Sequence, residues 1–228
     1  MLVQIPQVIT PEQLQMIRTR LENAGDSWVD GRVTAGFQGA PVKRNQQLDE
    51  MSPLAHELGD LIVGQLERNP RFISACLPSA VYPPMFNRYG EGMTFGSHVD
   101  GSMRIVPGSG RRLRTDMSAT LFLTDPAEYD GGELQIDDNY GMHSVKLAAG
   151  DMIVYPASSL HRVTPITRGT RLASFFWVQS MIRDDGQRTL LFDMDNAIQT
   201  LNRTQADDAA RSTLVGTYHN LLRMWGEV

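Results

Sequence analysis

Two side chains that commonly ligate metals stand two residues apart near the middle of the sequence, in the triplet His98-Val99-Asp100. Alternate side chains of an extended strand point to the same face, so His98 and Asp100 can reach one metal ion while Val99 faces away. Such a triplet is weak evidence by itself, because many proteins carry one on a solvated turn. A metal site needs a further ligand from elsewhere in the chain.

Two later residues extend the pattern, namely His161 and, ten residues after it, Arg171. His161 follows a strand-like apolar run at 152–155 and a turn of small residues, as suits a ligand on a neighbouring strand. Arg171 opens a second apolar run at 172–178, and its planar guanidinium can bind a carboxylate through two parallel hydrogen bonds. A buried arginine needs such a partner.

The chemistry that these residue types favour is oxidative. Two histidines and one carboxylate on one face of an octahedral ion leave three adjacent positions open, and this set is typical of non-haem Fe(II) oxygenases. In an oxygenase of this kind, the acid bound by Arg171 would be the distal carboxylate of 2-oxoglutarate. The plainer alternatives are a core histidine at 98 with a turn residue at 100, and a surface ion pair at 171 that contributes little. The joint order of the four residues is much harder to obtain by accident.

Several segments carry more specific motifs, at 87–92 (NRYGEG), 98–100 (HVD), 113–123 (LRTDMSATLFL), 129–134 (YDGGEL) and 155–165 (YPASSLHRVTP). They resemble the bacterial PKHD-type hydroxylases, which are Fe(II)/2-oxoglutarate dioxygenases related to prolyl and lysyl hydroxylases. The likeness continues through 175–185 and 218–222, so it covers nearly the whole chain.

The resemblance implies a role for each residue of the site. His98, Asp100 and His161 would be the iron ligands, and Arg171 would anchor 2-oxoglutarate. Tyr89 matches a tyrosine that helps to hold the cosubstrate in related prolyl hydroxylases, although a tyrosine in such an apolar setting is as often a packing residue. The resemblance further implies use of L-ascorbate, which keeps the iron reduced, and an association with bacterial iron uptake.

Two functions from different classes remain open at this point. The first is a hydroxylase that consumes dioxygen and acts either on peptidyl proline or lysine or on a small iron-chelating metabolite. The second is a non-catalytic protein that senses iron and 2-oxoglutarate and signals through its C-terminal helices. The intact ligand set favours the enzyme.

Composition limits the setting of this activity. A chain of 228 residues with 41% hydrophobic residues can bury a full core. A net charge of −5 argues against a nucleic-acid binder, which usually carries a basic surface. The single cysteine, Cys76, excludes an intramolecular disulfide and is expected to be a small buried hydrophobe. No signal-like start and no membrane-spanning run is visible, so we expect a cytoplasmic protein.

The order of the elements predicts a mainly β fold, a double-stranded β-helix (jelly roll) with flanking helices. Helices are expected from Thr10-Pro11 and from Ser52-Pro53, the second stopped by Asn69-Pro70. Short strand-like runs then fill 80–179, and the jelly-roll arrangement itself leans on the family resemblance. The expected divisions are 1–79 (N-terminal flanking segment), 80–180 (dioxygenase core) and 181–228 (C-terminal helical segment). The polar stretch 28–48 is either an edge hairpin or a lid.

Two surface features have open interpretations. Apolar faces in the C-terminal helices, such as Ile198 and Leu201, either cover the outer sheet or form a homodimer interface. The loop 101–115 holds four arginines and no acid, and by hypothesis it guides an anionic substrate to the site, although charge runs are usually solvated loops. The four are Arg104, Arg111, Arg112 and Arg114.

Overall fold

The computed structural model describes residues 1–36, 39–138, 141–204 and 208–227. The helices in these ranges are α1 (Pro11–Glu22), α2 (Pro53–Leu66), α3 (Pro70–Cys76), α4 (Asp185–Arg203) and α5 (Asp208–Trp225). The strands are β1 (Val3–Ile5), β2 (Trp28–Asp30), β3 (Lys43–Arg44), β4 (Gln46–Leu48), β5 (Pro78–Val81), β6 (Met85–Tyr89), β7 (Thr94–His98), β8 (Met103–Ile105), β9 (Arg112–Arg114), β10 (Met117–Phe122), β11 (Tyr129–Gly131), β12 (Leu134–Asp138), β13 (Gly141–Val145), β14 (Met152–Pro156), β15 (Leu160–Val163), β16 (Ile166–Gly169) and β17 (Arg171–Ser180).

The strands form two main antiparallel sheets. The larger has the order β1-β14-β10-β17-β6-β4-β2, with β5 also paired to β17, and the smaller has the order β13-β12-β15-β7-β3. Two further two-stranded sheets are separate from these, namely the β8–β9 hairpin and the pair formed by β11 and β16. This is the predicted jelly-roll core with flanking helices.

Alternation along the central strands separates two apolar cores. In β10, Met117, Ala119 and Leu121 face a core shared with the N-terminal helices, whereas Phe122 belongs to a second core that includes residues of the smaller sheet. Because successive side chains of a strand point to opposite faces, both faces of β10 are covered. The second core lies beside the cavity described below.

Local signals place the N-terminal helices as predicted, with one correction. Thr10 and Gln13 form a capping box at the start of α1, and Ser52 caps α2. Asn69-Pro70 was expected to stop α2, but α2 ends earlier, at Leu66. Asn69 instead caps α3 by accepting a hydrogen bond from the backbone N–H of Phe72, and Pro70 occupies the first helical turn.

The polar stretch 28–48 contributes strands to both sheets, and its residues 37 and 38 lie outside the described ranges. β2 pairs with β4 at the edge of the larger sheet, while β3 pairs with β7 in the smaller one. Thr34 and Lys43 line the cavity between the sheets. The described residues of the stretch therefore pair at the sheet edges and also form part of the cavity wall.

The C-terminal helices pack onto the rest of the chain. Tyr218, Leu221 and Trp225 of α5 contact a buried cluster that contains Leu77 and Leu191. The apolar face of α5 is therefore partly covered within one chain. None of the helices in the described ranges is long and apolar enough to cross a membrane.

Cys76 is predicted to be chemically inert in the folded protein. Its side chain is fully buried at the end of α3, and burial raises the pKa of its thiol to about 12. Because the thiolate is the reactive form, an aromatic disulfide reagent at pH 8 should leave the native protein unmodified. In strong denaturant the same reagent should modify one thiol per chain. Rapid stoichiometric reaction of the native protein would contradict this assignment.

Candidate active site

The two histidines are cross-strand neighbours in the smaller sheet. His98 is the last residue of β7, His161 lies in β15, and the antiparallel register pairs them directly. Their ring centroids are 4.2 Å apart. His98 and Asp100 do not share a strand as predicted, because β7 ends at His98 and Asp100 lies in the following turn.

The turn nevertheless brings the Asp100 carboxylate to both imidazoles. Its Oδ1 is 3.9 Å from His98 Nε2, and its Oδ2 is 3.8 Å from His161 Nε2. A divalent first-row ion binds imidazole nitrogen at about 2.0–2.1 Å, so a single ion can lie between atoms at these separations. The three side chains are only 7–12% exposed. Their donor set and spacing therefore fit a mononuclear metal site of the predicted kind.

Backbone carbonyls orient both imidazoles. His98 Nδ1 is 2.8 Å from the Gly96 carbonyl oxygen, and His161 Nδ1 is 3.0 Å from that of Ser159. A proton on each Nδ1 donates to the carbonyl and leaves Nε2 free for a metal. Burial, and next the neighbouring His161, lower the pKa of His98 to about 4, so this ring is neutral at pH 7, as ligation requires.

A serine that the sequence analysis missed holds the carboxylate. Ser118 in β10 of the larger sheet donates its hydroxyl hydrogen to Asp100 Oδ2 over 2.5 Å. This bond joins the turn after β7 to the opposite sheet. Ser118 lies within the 113–123 motif, but only the packing of the two sheets shows that it faces Asp100.

Arg171 and Tyr89 also meet through strand register, this time in the larger sheet. They are directly paired across β17 and β6, and the guanidinium carbon lies 5.5 Å from the Tyr89 ring centroid and 5.2 Å from that of Phe122. Burial raises the pKa of Tyr89 to about 12, although the Arg171 charge opposes the shift. The phenol therefore stays protonated and can donate a hydrogen bond to an anion.

Arg171 is a buried charge without a counter-charge. It is 1% exposed, its Nε has no hydrogen-bond partner, and no carboxylate within the described ranges forms an ion pair with it. The glycine pair at 131–132 lets the chain pass close to its stem. A Cβ at Gly132 would lie 3.2 Å from Arg171 Cδ and 2.3 Å from Ile166 Cδ1, and φ there is +67°.

The metal-site triad and the Arg171–Tyr89 pair line one cavity of 360 Å³ between the sheets. The predicted residues all line it, together with several that the sequence did not single out. Burial, followed by the charge of Arg104, lowers the pKa of one of these, Lys43, to about 8. The principal lining residues are Lys43, Asn87, Tyr89, Phe95, His98, Asp100, Arg104, Ser118, Thr120, Tyr155, His161, Arg171, Phe175 and Trp177.

Comparison with known proteins gives matches along nearly the whole chain. Residues 84–179 match the family model of the 2OG-Fe(II) oxygenase superfamily, and residues 185–227 match that of the PKHD-type hydroxylase C-terminal domain. The chain is 73% identical to a PKHD-type hydroxylase of Cupriavidus pinatubonensis and 70% identical to one of Cupriavidus metallidurans, with 100% of each chain covered. Its fold is similar to a Pseudomonas putida prolyl-4-hydroxylase, with a TM-score of 0.52 at 18% identity over 78% of this chain and 92% of that chain.

The Ser118 hydroxyl is predicted to strengthen metal binding. Ser118→Ala removes the bond that holds Asp100, and loss of such a supporting bond typically lowers metal affinity about 10- to 100-fold. Titration of metal-free protein with Co(II), followed by the visible ligand-field bands, measures the effect. Ser109→Ala on the exposed β8–β9 turn is the control and should bind like the wild type. Equal affinities for Ser118→Ala and the wild type would contradict the prediction.

Replacing Arg171 is predicted to stabilise the unliganded protein. Arg171→Met keeps an apolar stem and removes a buried charge that has no acidic partner and whose Nε makes no hydrogen bond, so the free energy of unfolding should rise by about 1 kcal/mol or more. Urea unfolding of the metal-free protein measures it. Arg188→Met is the matched control, because Arg188 is also buried with an unpartnered Nε. It differs in that its other nitrogens donate to the Ile182 and Arg183 carbonyls and pair with Asp185, so its loss should destabilise the protein. Destabilisation of several kcal/mol by Arg171→Met would show that the arginine is structurally satisfied.

Proposed function

The chain belongs to the PKHD-type hydroxylase family and is an Fe(II)/2-oxoglutarate-dependent dioxygenase. We propose which parts of its cavity bind the iron, the cosubstrate and the substrate. One part holds iron, one holds the cosubstrate, and the rest receives a substrate whose C–H bond is hydroxylated. The proposed iron ligands are His98, Asp100 and His161. The proposed cosubstrate residues are Arg171 and Tyr89.

The observation that carries this proposal is the unpaired charge of Arg171 inside the cavity that also contains the triad. A buried guanidinium favours a carboxylate that can accept two parallel hydrogen bonds, and the protonated Tyr89 phenol can donate one more. When bound, iron and 2-oxoglutarate supply the oxidation, in which dioxygen and 2-oxoglutarate become carbon dioxide, succinate and the hydroxyl group of the product. The chain binds and orients these partners, and its buried walls limit access of water.

Several finer assignments belong to this proposal. The substrate is peptidyl proline or lysine, or a small iron chelator, and the physiological setting is bacterial iron uptake or iron homeostasis in the cytoplasm. L-ascorbate would keep the iron reduced between productive turnovers. A homodimer through the C-terminal helices stays a prediction. The non-catalytic sensor is not favoured, because the chain retains a complete set of candidate ligands.

An anaerobic titration tests the proposal. Metal-free protein receives Fe(II) and 2-oxoglutarate while the visible charge-transfer band is followed, and oxygen is then admitted and succinate is measured. The wild type should develop the band and form succinate only after oxygen is added. His98→Ala should lose the band. Arg171→Ala should need about 100-fold more 2-oxoglutarate, because two charge-assisted hydrogen bonds are lost.

The Arg188→Ala variant controls for the loss of a buried arginine remote from the cavity. After correction for its folded fraction, it should show the band at the wild-type 2-oxoglutarate concentration. No band in wild-type protein at saturating Fe(II) would contradict the ligand assignment. A band without oxygen-dependent succinate would favour the sensor.

A further inference from the structure

The cavity carries a second group of cations, away from Arg171. We propose that Lys43 and Arg104 form a binding site for an anionic group, a carboxylate, on the substrate that is hydroxylated. The inference rests on the proposed function, because it identifies the substrate class of the same cavity.

Strand alternation in the β8–β9 hairpin selects one arginine from the basic loop. Arg104 is opposite the buried Leu113, so both face inward, whereas Arg112 is exposed opposite the exposed Ile105. Arg114 is already engaged by Asp116 and Glu227. Arg111 is exposed, so among the arginines of this loop Arg104 is the one that lines the cavity.

Aromatic rings and a backbone carbonyl hold Arg104 in place. Its guanidinium carbon lies 4.4 Å from the Trp177 ring centroid and 5.4 Å from that of Tyr82, and its NH1 donates weakly to the Thr34 carbonyl at 3.4 Å. No acid in the described ranges pairs with it. These cation–π contacts hold the guanidinium without neutralising its charge.

Lys43 is the second cation, and Thr34 links it to Arg104. Lys43 is 4% exposed, and its ammonium donates to Gln47 Oε1 and to Thr34 Oγ1. The Nζ atom is 5.1 Å from the ring centroid of Phe95, which itself stacks on His98 at 3.6 Å. Lys43 therefore lies between the candidate iron ligands and Arg104. Its described hydrogen-bond partners, Thr34 and Gln47, are neutral.

The length of β17 separates Arg104 from the cosubstrate end. Arg171 and Trp177 are six positions apart on one strand, and a rise of about 3.3 Å per residue puts about 20 Å between their backbones. The four carbon–carbon bonds of 2-oxoglutarate span about 6 Å at most. A cosubstrate anchored at Arg171 therefore cannot also reach the cation that lies over Trp177. The anionic group that Arg104 binds must therefore belong to a molecule other than the cosubstrate.

Asn87 adds an unused polar group to the same wall. It is 7% exposed, it lines the cavity, and its side-chain carbonyl oxygen has no hydrogen-bond partner in the described structure. This acceptor suits an N–H or O–H group of the substrate. Together the groups fit a ligand that carries a carboxylate beside a hydrogen-bond donor, with apolar parts against Phe175 and Trp177.

Calorimetry on protein loaded with Ni(II) and N-oxalylglycine tests the inference. N-oxalylglycine is a 2-oxoglutarate analogue that cannot turn over, so it fills the Arg171 end. The probes are 3-phenylpropanoate and its neutral amide. The acid should bind at least about tenfold more tightly than the amide, and salt should weaken only the acid. Lys43→Gln and Arg104→Gln should each remove most of this preference.

Arg112→Gln is the matched control, because it removes one exposed arginine from the same hairpin and should preserve the preference. A second arm compares two short proline-containing peptides that differ only in Glu and Gln beside the proline. Tighter binding of 3-phenylpropanoate than of its amide identifies the substrate class as a small carboxylate. Tighter binding of the Glu peptide than of the Gln peptide identifies it as an acidic peptide. Equal binding of acid and neutral forms in both arms, or no binding, would overturn the inference. So would a loss of preference in Arg112→Gln as large as in Arg104→Gln.

Prior titration with Ni(II) and N-oxalylglycine separates the two proposals. Wild type that fails to bind them contradicts the assignment of the iron and cosubstrate residues. Wild type that binds them but shows no preference for carboxylate contradicts only the substrate inference. Thermal unfolding of each variant establishes that it is folded, and Arg104→Gln tests the site by itself if the buried Lys43 cannot be replaced.

Discussion

A positive charge buried without a negative partner is the constraint around which the cavity is organised. Removing a guanidinium from water is unfavourable, and the surrounding sheet must hold it in place. Arg171 is surrounded by Tyr89 and Phe122, whose ring faces attract a cation, and by a glycine turn that leaves room for its stem. The aromatic contacts offset part of the free-energy cost of burying the guanidinium but supply no carboxylate. The unliganded site therefore already has a positive charge positioned to bind an anion.

Antiparallel register places the remaining groups relative to that charge. Arg171 pairs with Tyr89 in one sheet, and His98 pairs with His161 in the other. The hydrogen bond from Ser118 to Asp100 connects the two sheets at the triad. Since a shift by one residue would turn every side chain of a strand to the opposite face, the register that buries the apolar core also fixes the cavity. Stability and chemistry depend on the same strand pairing.

The sequence predicts the features that depend on near neighbours. The caps at Thr10 and Ser52 need only residues three positions away, and both are present. The site residues are recognisable as a set because their order along the chain matches a family. Three other features depend on contacts between distant segments. Ser118 meets Asp100 across two sheets, Lys43 reaches the cavity through the β3–β7 pairing, and Asn69 starts a helix because α2 ends before it.

The most direct test is a crystal structure of the protein with Fe(II) and 2-oxoglutarate, grown without oxygen. The proposed site predicts one metal ion bound by His98 Nε2, His161 Nε2 and an Asp100 carboxylate oxygen, with the distal carboxylate of 2-oxoglutarate on the Arg171 guanidinium. It also predicts that the Lys43 and Arg104 side of the cavity remains free of the cosubstrate. A metal on any other set of side chains, or 2-oxoglutarate with its distal carboxylate on Lys43 or Arg104, would contradict it.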